Sequence, residues 1–146
     1  MKEGKILVVD PDHRTGQTLK EWLKKSNYLI SFVESGPEAI SLIESSHFDV
    51  VLSEFRLEGI GGFDLVREID RTRPNLPVVI ITAKYDSRTA IEVVKAGAFD
   101  FLPKPLEKTE LFRVVEEAVQ SSKNSVKPVD IGGSAQDVDG QSSDAL

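Results

Sequence analysis

Acidic, hydroxyl and ammonium side chains stand directly after four short apolar runs of this chain. Asp10 and Asp12 follow the first run, Glu54 the third, Thr82 the fourth and Lys104 the fifth. Carboxylates are oxygen ligands that a magnesium ion accepts in proteins, and a hydroxyl and an ammonium can both contact an anion. These groups together are typical of a site that transfers or senses a phosphoryl group, where positioning and charge neutralisation do most of the chemistry.

The side chains meet only if the segments between them form the right elements. The apolar runs are short and rich in Val, Ile and Phe, which predicts β-strands at 5–9, 28–33, 50–53, 78–81 and 99–102. The segments between and after them have apolar residues at helical spacing, which predicts five amphipathic helices. The last helix is the clearest, with one apolar face made by Leu111, Val114, Val115, Ala118 and Val119.

Strict alternation of strand and helix predicts the fold class. Parallel neighbours in a sheet need crossover connections, which are usually helices. We therefore expect an α/β fold with a doubly wound, five-stranded parallel sheet in the order 2-1-3-4-5 and five helices. In such sheets ligands bind beyond the carboxyl ends of the strands, near the switch in strand order. The polar residues named above follow those ends.

Length and composition narrow the function classes. A chain of 146 residues suits one domain, and we place it at residues 1–121. The formal net charge of −6 disfavours direct capture of nucleic acid or an anionic membrane, so protein partners are expected first. The chain has no cysteine and no apolar run of roughly 18 residues that would cross a membrane. We therefore expect a cytoplasmic protein.

The C-terminal segment, residues 122–146, differs in composition from the rest of the chain. It is dense in Ser, Gly and Asp and has no apolar period. Such a sequence buries too little apolar surface to fold alone. We interpret it as a flexible linker toward a further domain, or as a free tail.

Four consecutive motifs carry a family resemblance: ILVVD, FDVVLSEFRLEGIGGFDLVREI, PVVIITA and GAFDFLPKPLE. In this order and spacing they resemble the motifs of bacterial response-regulator receiver domains, whose fold is flavodoxin-like. The resemblance implies a signalling module of a two-component system and not an enzyme. It assigns the phosphoacceptor position to Glu54, phosphate sensing to Thr82 and Lys104, and the switch aromatic to Phe101. It also implies a cis Lys104-Pro105 peptide.

Two positions depart from the family pattern. The family has Asp where this chain has Glu54, and a second acidic residue where this chain has Pro11. The Glu carboxylate stands about 1.5 Å farther from the backbone, and in-line attack tolerates little misplacement. The metal site that the resemblance implies, Asp10, Glu54 and the Arg56 backbone carbonyl, lacks one carboxylate, so we expect weak magnesium binding or none. Conventional phosphorylation is therefore not expected.

Several readings stay open from the sequence. An ion pair between Glu54 and Lys104 could mimic the phosphorylated state, or the domain could be fixed near its inactive state and serve as a docking module. Phe101 is either a rotating switch or ordinary core. A neighbouring residue, Asp12 or Ser53, could accept phosphate instead. A flavin- or nucleotide-binding protein is a further alternative, although acidic residues after the first strand would repel a phosphate.

The resemblance also implies partners. Family members commonly dimerise through the last helix with its neighbouring strand and helix, and they exchange signals with histidine kinases. The FLPKPL segment and the Ser- and Asp-rich tail are similar to receivers that precede AAA+ enhancer-binding transcription activators. We therefore expect a homodimer, with a kinase or other signalling protein upstream and an ATPase or DNA-binding output domain downstream.

Overall fold

A computed structural model describes residues 3–123 of the chain. Five strands and five helices alternate along this part. The strands are β1 (Glu3–Val9), β2 (Asn27–Val33), β3 (Val50–Glu54), β4 (Val78–Thr82) and β5 (Asp100–Pro103). The helices are α1 (His13–Leu23), α2 (Gly36–Ser45), α3 (Gly62–Thr72), α4 (Ser87–Lys95) and α5 (Lys108–Lys123).

The strands form one parallel sheet in the order β2-β1-β3-β4-β5, which confirms the predicted fold. Every residue of β3 and β4 is buried, because helices cover both faces of a doubly wound sheet. One apolar layer joins the sheet to α1 and α5 through residues such as Leu19 and Leu111. The other joins it to α2, α3 and α4 through residues such as Ala39, Leu65 and Val93.

Local sequence signals fix where several helices begin and end. The hydroxyl of Ser35 accepts a hydrogen bond from the N–H of Glu38, and the Glu38 carboxylate accepts one from the N–H of Glu34. These two hydrogen bonds satisfy one donor in the first turn of α2, the N–H of Glu38, and one just before the helix, the N–H of Glu34, much as a capping box does. Helix α4 starts at the carboxylate of Asp86 and is followed by Gly97, whose φ of 123° favours glycine.

Element boundaries differ slightly from the sequence-based ones. Glu54 and Thr82 are the last residues of β3 and β4 and not the residues after them, whereas Phe99 precedes β5. Helix α5 extends to Lys123, two residues past the predicted domain boundary at residue 121. The rest of the predicted tail, 124–146, lies outside the described residues. None of the helices described is long and apolar enough to span a membrane.

Candidate functional site

The carboxyl edge of the sheet brings the predicted residues together. Strands β1 and β3 are neighbours, and Val9 pairs with Ser53 in their register. The next residue along the chain is therefore Asp10, directly after β1, on one side and Glu54, the last residue of β3, on the other. Both are almost completely buried, with relative exposures of 1% and 7%. Burying two carboxylates is costly unless each finds a cation or hydrogen-bond donors.

The ammonium of Lys104 meets both carboxylates. Its Nζ lies 2.7 Å from Oδ2 of Asp10 and 2.8 Å from Oε1 of Glu54. We call these three residues the acid–lysine triad. Lys104 reaches this point because it follows β5 directly, and the N–H of Lys104 donates to the Thr82 carbonyl at 2.8 Å. The cis peptide predicted between Lys104 and Pro105 is present, as is the predicted ion pair with Glu54.

Backbone donors hold the remaining carboxylate oxygens. Oδ1 of Asp10 accepts a hydrogen bond from the N–H of Asp12 at 2.8 Å. Oε2 of Glu54 accepts one from the N–H of Arg56 at 3.0 Å. Each buried carboxylate therefore has one oxygen on the Lys104 ammonium and the other on the backbone. The carboxylates of Asp10 and Glu54 are therefore held in position by Lys104 and by backbone N–H groups of the same chain.

The electrostatics of the triad favour the charged lysine. Burial alone lowers the pKa of the Lys104 ammonium, but the hydrogen bonds to Asp10 and Glu54 and the charges of these carboxylates outweigh it. The pKa of Lys104 is therefore raised above its ordinary value, and the side chain stays protonated at neutral pH. One ammonium between two carboxylates neutralises half of the negative charge that these two side chains would otherwise present.

Asp12 does not share the pocket with Asp10, in contrast to the acidic pair expected from the sequence. Its side chain is the N-cap of α1 and accepts from the N–H of Arg14 at 3.0 Å. It also pairs with the Arg14 guanidinium at 2.9 Å. These hydrogen bonds, first the one from the Arg14 side chain, lower the pKa of Asp12 to about 2. The physical reason is local, since an aspartate before a helix satisfies the unpaired donors of the first turn.

Thr82 and Phe101 lie beneath the same edge. Thr82 is fully buried, and its hydroxyl accepts a hydrogen bond from the N–H of Lys84 at 3.2 Å. Phe101 is only 6% exposed and packs in the core layer with α4, as the core interpretation predicted. The half-exposed ring of Tyr85 meets it edge-on, with centroids 5.0 Å apart. Sequence analysis missed Tyr85, whose position in the loop after β4 was the one available signal.

Magnesium would have to compete with Lys104 at this edge. Asp10 and Glu54 are hard oxygen ligands, but the lysine ammonium occupies the position where both carboxylates converge on a cation. Pro11 has no ligating atom in its side chain, and Asp12 is turned toward Arg14. Within residues 3–123 no group of three or more Asp, Glu, His or Cys side chains is arranged to hold a metal ion. If Lys104 moved away, the oxygens of Asp10 and Glu54 and the Arg56 carbonyl are the groups that would hold the ion.

This fold and this site define a doubly wound α/β protein with an acidic pocket and a lysine at the carboxyl edge of the sheet. The chain belongs to the family of response regulator receiver domains, whose model matches residues 6–116. It is therefore a receiver domain of two-component signalling, related to transcriptional regulators such as NtrC. Receiver domains are signalling modules and not enzymes in their own right.

Individual proteins that resemble this chain belong to the same family. The DNA-binding transcriptional regulator NtrC of Escherichia coli (strain K12) is 33% identical over 143 residues, which are 97% of this chain and 30% of that protein. The receiver domain of the Francisella response regulator 1452 superposes with a TM-score of 0.76 at 27% identity, covering 81% of this chain and 98% of that one.

NtrX from Brucella abortus gives a TM-score of 0.77 at 28% identity, covering 84% of this chain and 28% of that chain. The present chain thus spans about 30% of the length of the curated relatives that it matches.

Proposed function

We propose that this receiver domain transmits signals without accepting a phosphoryl group at residue 54. The observation that carries the proposal is the Lys104 ammonium seated between Asp10 and Glu54 at 2.7 and 2.8 Å. Phosphoryl transfer needs a nucleophile aligned for in-line attack and a cation on the transferred oxygens. In this chain Oε1 of Glu54 is held by the Lys104 ammonium and Oε2 by the Arg56 N–H, and the lysine also takes the position of the cation.

We propose further that magnesium binding at Asp10, Glu54 and the Arg56 carbonyl is weak or absent. A bound ion would have to displace Lys104 from two buried charged hydrogen bonds, and Pro11 supplies no replacement ligand. The other acceptors considered from the sequence have less support. Ser53 is fully buried, and its hydroxyl donates to the Glu54 carbonyl at 3.0 Å. The carboxylate of Asp12 is committed to Arg14.

The triad supports a fixed state better than a full mimic of phosphorylation. Glu54 makes the lysine contact that a phosphorylated acceptor would make, but the Thr82 hydroxyl accepts from its own loop at Lys84. A phosphoryl group also brings about −1.5 to −2 charge and three acceptor oxygens, whereas Glu54 brings one charge and two oxygens. We therefore infer that signalling depends on which partners dock and not on a change of charge at residue 54.

The test of phosphorylation uses magnesium and acetyl phosphate, followed by intact-mass analysis. Three proteins are compared: the parent, Glu54→Asp and the double variant Pro11→Asp with Glu54→Asp. We expect no phosphate on the parent, little on the single variant, and a labile phosphate on the double variant, which regains both the acceptor and the second carboxylate. A parent that gains phosphate at a rate similar to that of the double variant would refute the proposal.

The test of the fixed state compares oligomeric state by sedimentation equilibrium. We propose a homodimer through α5, β5 and α4, supported by the exposed apolar side chains Ile91 and Val94 on α4. Ile91→Glu should weaken association, and Ser41→Glu on the exposed face of α2 is the matched control.

The same measurement on variants of residue 54 separates the fixed state from the mimic. If Glu54→Gln and Glu54→Asp associate as the parent does, residue 54 does not act as a mimic of phosphorylation. A strong loss of association in Glu54→Gln would contradict the fixed state.

The partners beyond the dimer follow from the relatives. A histidine kinase or another signalling protein would bind this domain and deliver the input signal. The relationship to NtrC leads us to propose that a longer protein carries a DNA-binding, AAA+ ATPase output. Co-expression of this chain with such output domains, followed by measurement of ATPase activity with and without the receiver, tests this part. An ATPase activity that is the same with the parent receiver and without it would contradict it.

A further inference from the structure

An open groove lies at the amino edge of the sheet, at the opposite end of the strands from the triad. We call it the amino-edge groove. It has a volume of about 270 Å³, and its walls include the loops that precede β3 and β4. Ile43, Phe48 and Leu76 give it an apolar floor, and the exposed Arg73 lies at its rim. Pockets for small ligands usually measure about 300–1,000 Å³, so this groove suits a few side chains of a peptide better than a whole small molecule.

Helix α5 leads the chain to the amino-edge groove. Its 16 residues rise by about 24 Å, and Val119 near its end lies against Gly4 at the start of β1. Ser122, the residue before the last of α5, lines the groove itself. Residue 124 therefore follows directly from the wall of the groove. Because an extended chain advances by about 3.3–3.6 Å per residue, the next eight residues are long enough to lie along it.

The sequence after α5 contains side chains that this groove can accept. Residues 124–131 read NSVKPVDI. Pro128 fixes its own φ and disfavours the helical region for Lys127, which favours an extended segment with about three residues per turn. In such a segment Val126 and Val129 lie on the same side. Two aliphatic side chains can therefore face the apolar floor together.

The charges of the groove and of the segment are complementary. His47 in the wall of the groove already pairs with the buried carboxylate of Asp49 at 3.0 Å. The Arg73 guanidinium donates to the carbonyl of Thr72 and, among the described residues, forms no ion pair with a carboxylate. The sequence of residues 124–146 contains four aspartates and one lysine. Its net negative charge is opposite to that of Arg73, and the first of these aspartates directly follows Val129.

We propose that residues 124–131 dock in the amino-edge groove of the same chain. Val126 and Val129 contact the apolar floor, and the Asp130 carboxylate meets the Arg73 guanidinium. Because the segment is tethered to α5, its effective concentration at the groove is on the order of 1 mM. The docked segment fixes where the chain leaves the domain. The inference does not depend on the acceptor chemistry of residue 54, since the triad lies at the other edge of the sheet.

Limited proteolysis of the full chain with thermolysin tests the docking, because this protease cleaves before aliphatic residues. Mass analysis follows cleavage before Ile131, inside the proposed segment, and before Val138, outside it. Val126→Asp should accelerate cleavage before Ile131 by about tenfold, because the apolar contact of one valine is lost, and should leave cleavage before Val138 unchanged. Val138→Asp is the matched control and should not change the rate before Ile131. Equal rates before Ile131 in the parent and in Val126→Asp would overturn the proposal.

Charge reversal tests where the segment lies. Arg73→Glu should accelerate cleavage before Val126 by about threefold, since an exposed ion pair contributes little. Arg67→Glu, at an exposed position of α3 outside the groove, is the matched control. The double variant Arg73→Glu with Asp130→Lys should restore slow cleavage before Val126, a bond that neither substitution adjoins. The same rate in Arg73→Glu and Arg67→Glu would overturn the placement.

The concentration of the chain separates the possible occupants of the groove. Docking within one chain protects residues 124–131 equally in dilute and in concentrated solution. Protection that appears only as the concentration rises would identify the occupant as the segment of a second copy and would overturn the proposal. Contacts between the methyl groups of Val126 and the ring of Phe48, measured by NMR in dilute solution, should be present in the parent and lost in Val129→Asp.

Discussion

Removing the ammonium of Lys104 should destabilise this domain more than any other lysine substitution at the carboxyl edge of the sheet. The side chain is 19% exposed, and the side chains of its two partners, Asp10 and Glu54, taken without their backbone, are 1% and 9% exposed. Lys104→Met keeps most of the aliphatic stem and deletes two charged hydrogen bonds. Each such bond contributes about 1.5–3 kcal/mol, and the variant is left with two buried carboxylates that have no cation.

The expected loss in the free energy of unfolding is about 3–5 kcal/mol, the range measured when one partner of a buried ion pair is removed. This range is smaller than the largest sum of the two bonds because the variant no longer buries an ammonium. Glu54→Gln should lose less, about 1–2 kcal/mol, since Lys104 keeps Asp10. Lys84→Met is the matched control, because Lys84 is exposed and such changes usually stay within about 0.5 kcal/mol.

Urea unfolding followed by the fluorescence of Trp22, the one tryptophan of the chain, and by circular dichroism measures these differences. Agreement between the two signals shows that unfolding is two-state, which the comparison of free energies needs. A loss for Lys104→Met no greater than that for Lys84→Met would refute the reasoning. It would mean that the triad stabilises nothing and that Lys104 is free to move toward another ligand.

Three further predictions follow from named contacts. Because the folded state raises the pKa of Lys104, the stability advantage of the parent over Lys104→Met should be full below about pH 10.4 and should decline at higher pH. Urea titrations of both proteins across about pH 7–11 measure this advantage. An advantage that grows as the pH rises would contradict the prediction. Magnesium at 10 mM should stabilise Lys104→Met by about 1.4 kcal/mol, assuming a Kd near 1 mM, and the parent hardly at all, as measured by thermal unfolding. Gly16→Ser should cost about 1–3 kcal/mol, because a Cβ would stand 2.5 Å from the Phe32 ring; Gly61→Ser, with open space, is the control that should stay near zero.

The fold could be predicted because the sequence pattern and the burial pattern agree almost everywhere. The apolar runs that contain Val51 and Ile80 are completely buried central strands, and a doubly wound sheet requires such continuous apolar runs. The ends of the strands and helices follow less directly from the sequence. Phe99 reads as strand from its type, yet its N–H bonds to the Val78 carbonyl at 2.7 Å ahead of β5.

The site could be predicted only in part. That Asp10, Glu54 and Lys104 approach one another follows from strand order, because carboxyl ends of parallel strands meet at one edge. The orientation of Asp12 does not follow, since its carboxylate could serve the pocket or cap α1 with similar local geometry. The contact of Tyr85 with Phe101 depends on the path of the loop after β4, which no periodicity in the sequence records.

The two departures from the family pattern that the sequence analysis infers, Glu54 and Pro11, would act on the same step, the transfer of a phosphoryl group to residue 54. Oε1 of Glu54 is bound to Lys104 while Oε2 keeps the Arg56 N–H, so a carboxylate that left this arrangement to attack phosphorus would lose two hydrogen bonds at once. Pro11 adds no ligand for the metal ion that could take over from Lys104. A partner that binds only when the pocket is open must therefore offset the free energy lost when the hydrogen bonds of the triad break. If opening the pocket costs about 3–5 kcal/mol, as removal of one partner of a buried ion pair does, this partner must bind the open state roughly 10²–10⁴-fold more tightly than the closed one. Docking on an outer surface would avoid this cost, in agreement with the proposed function.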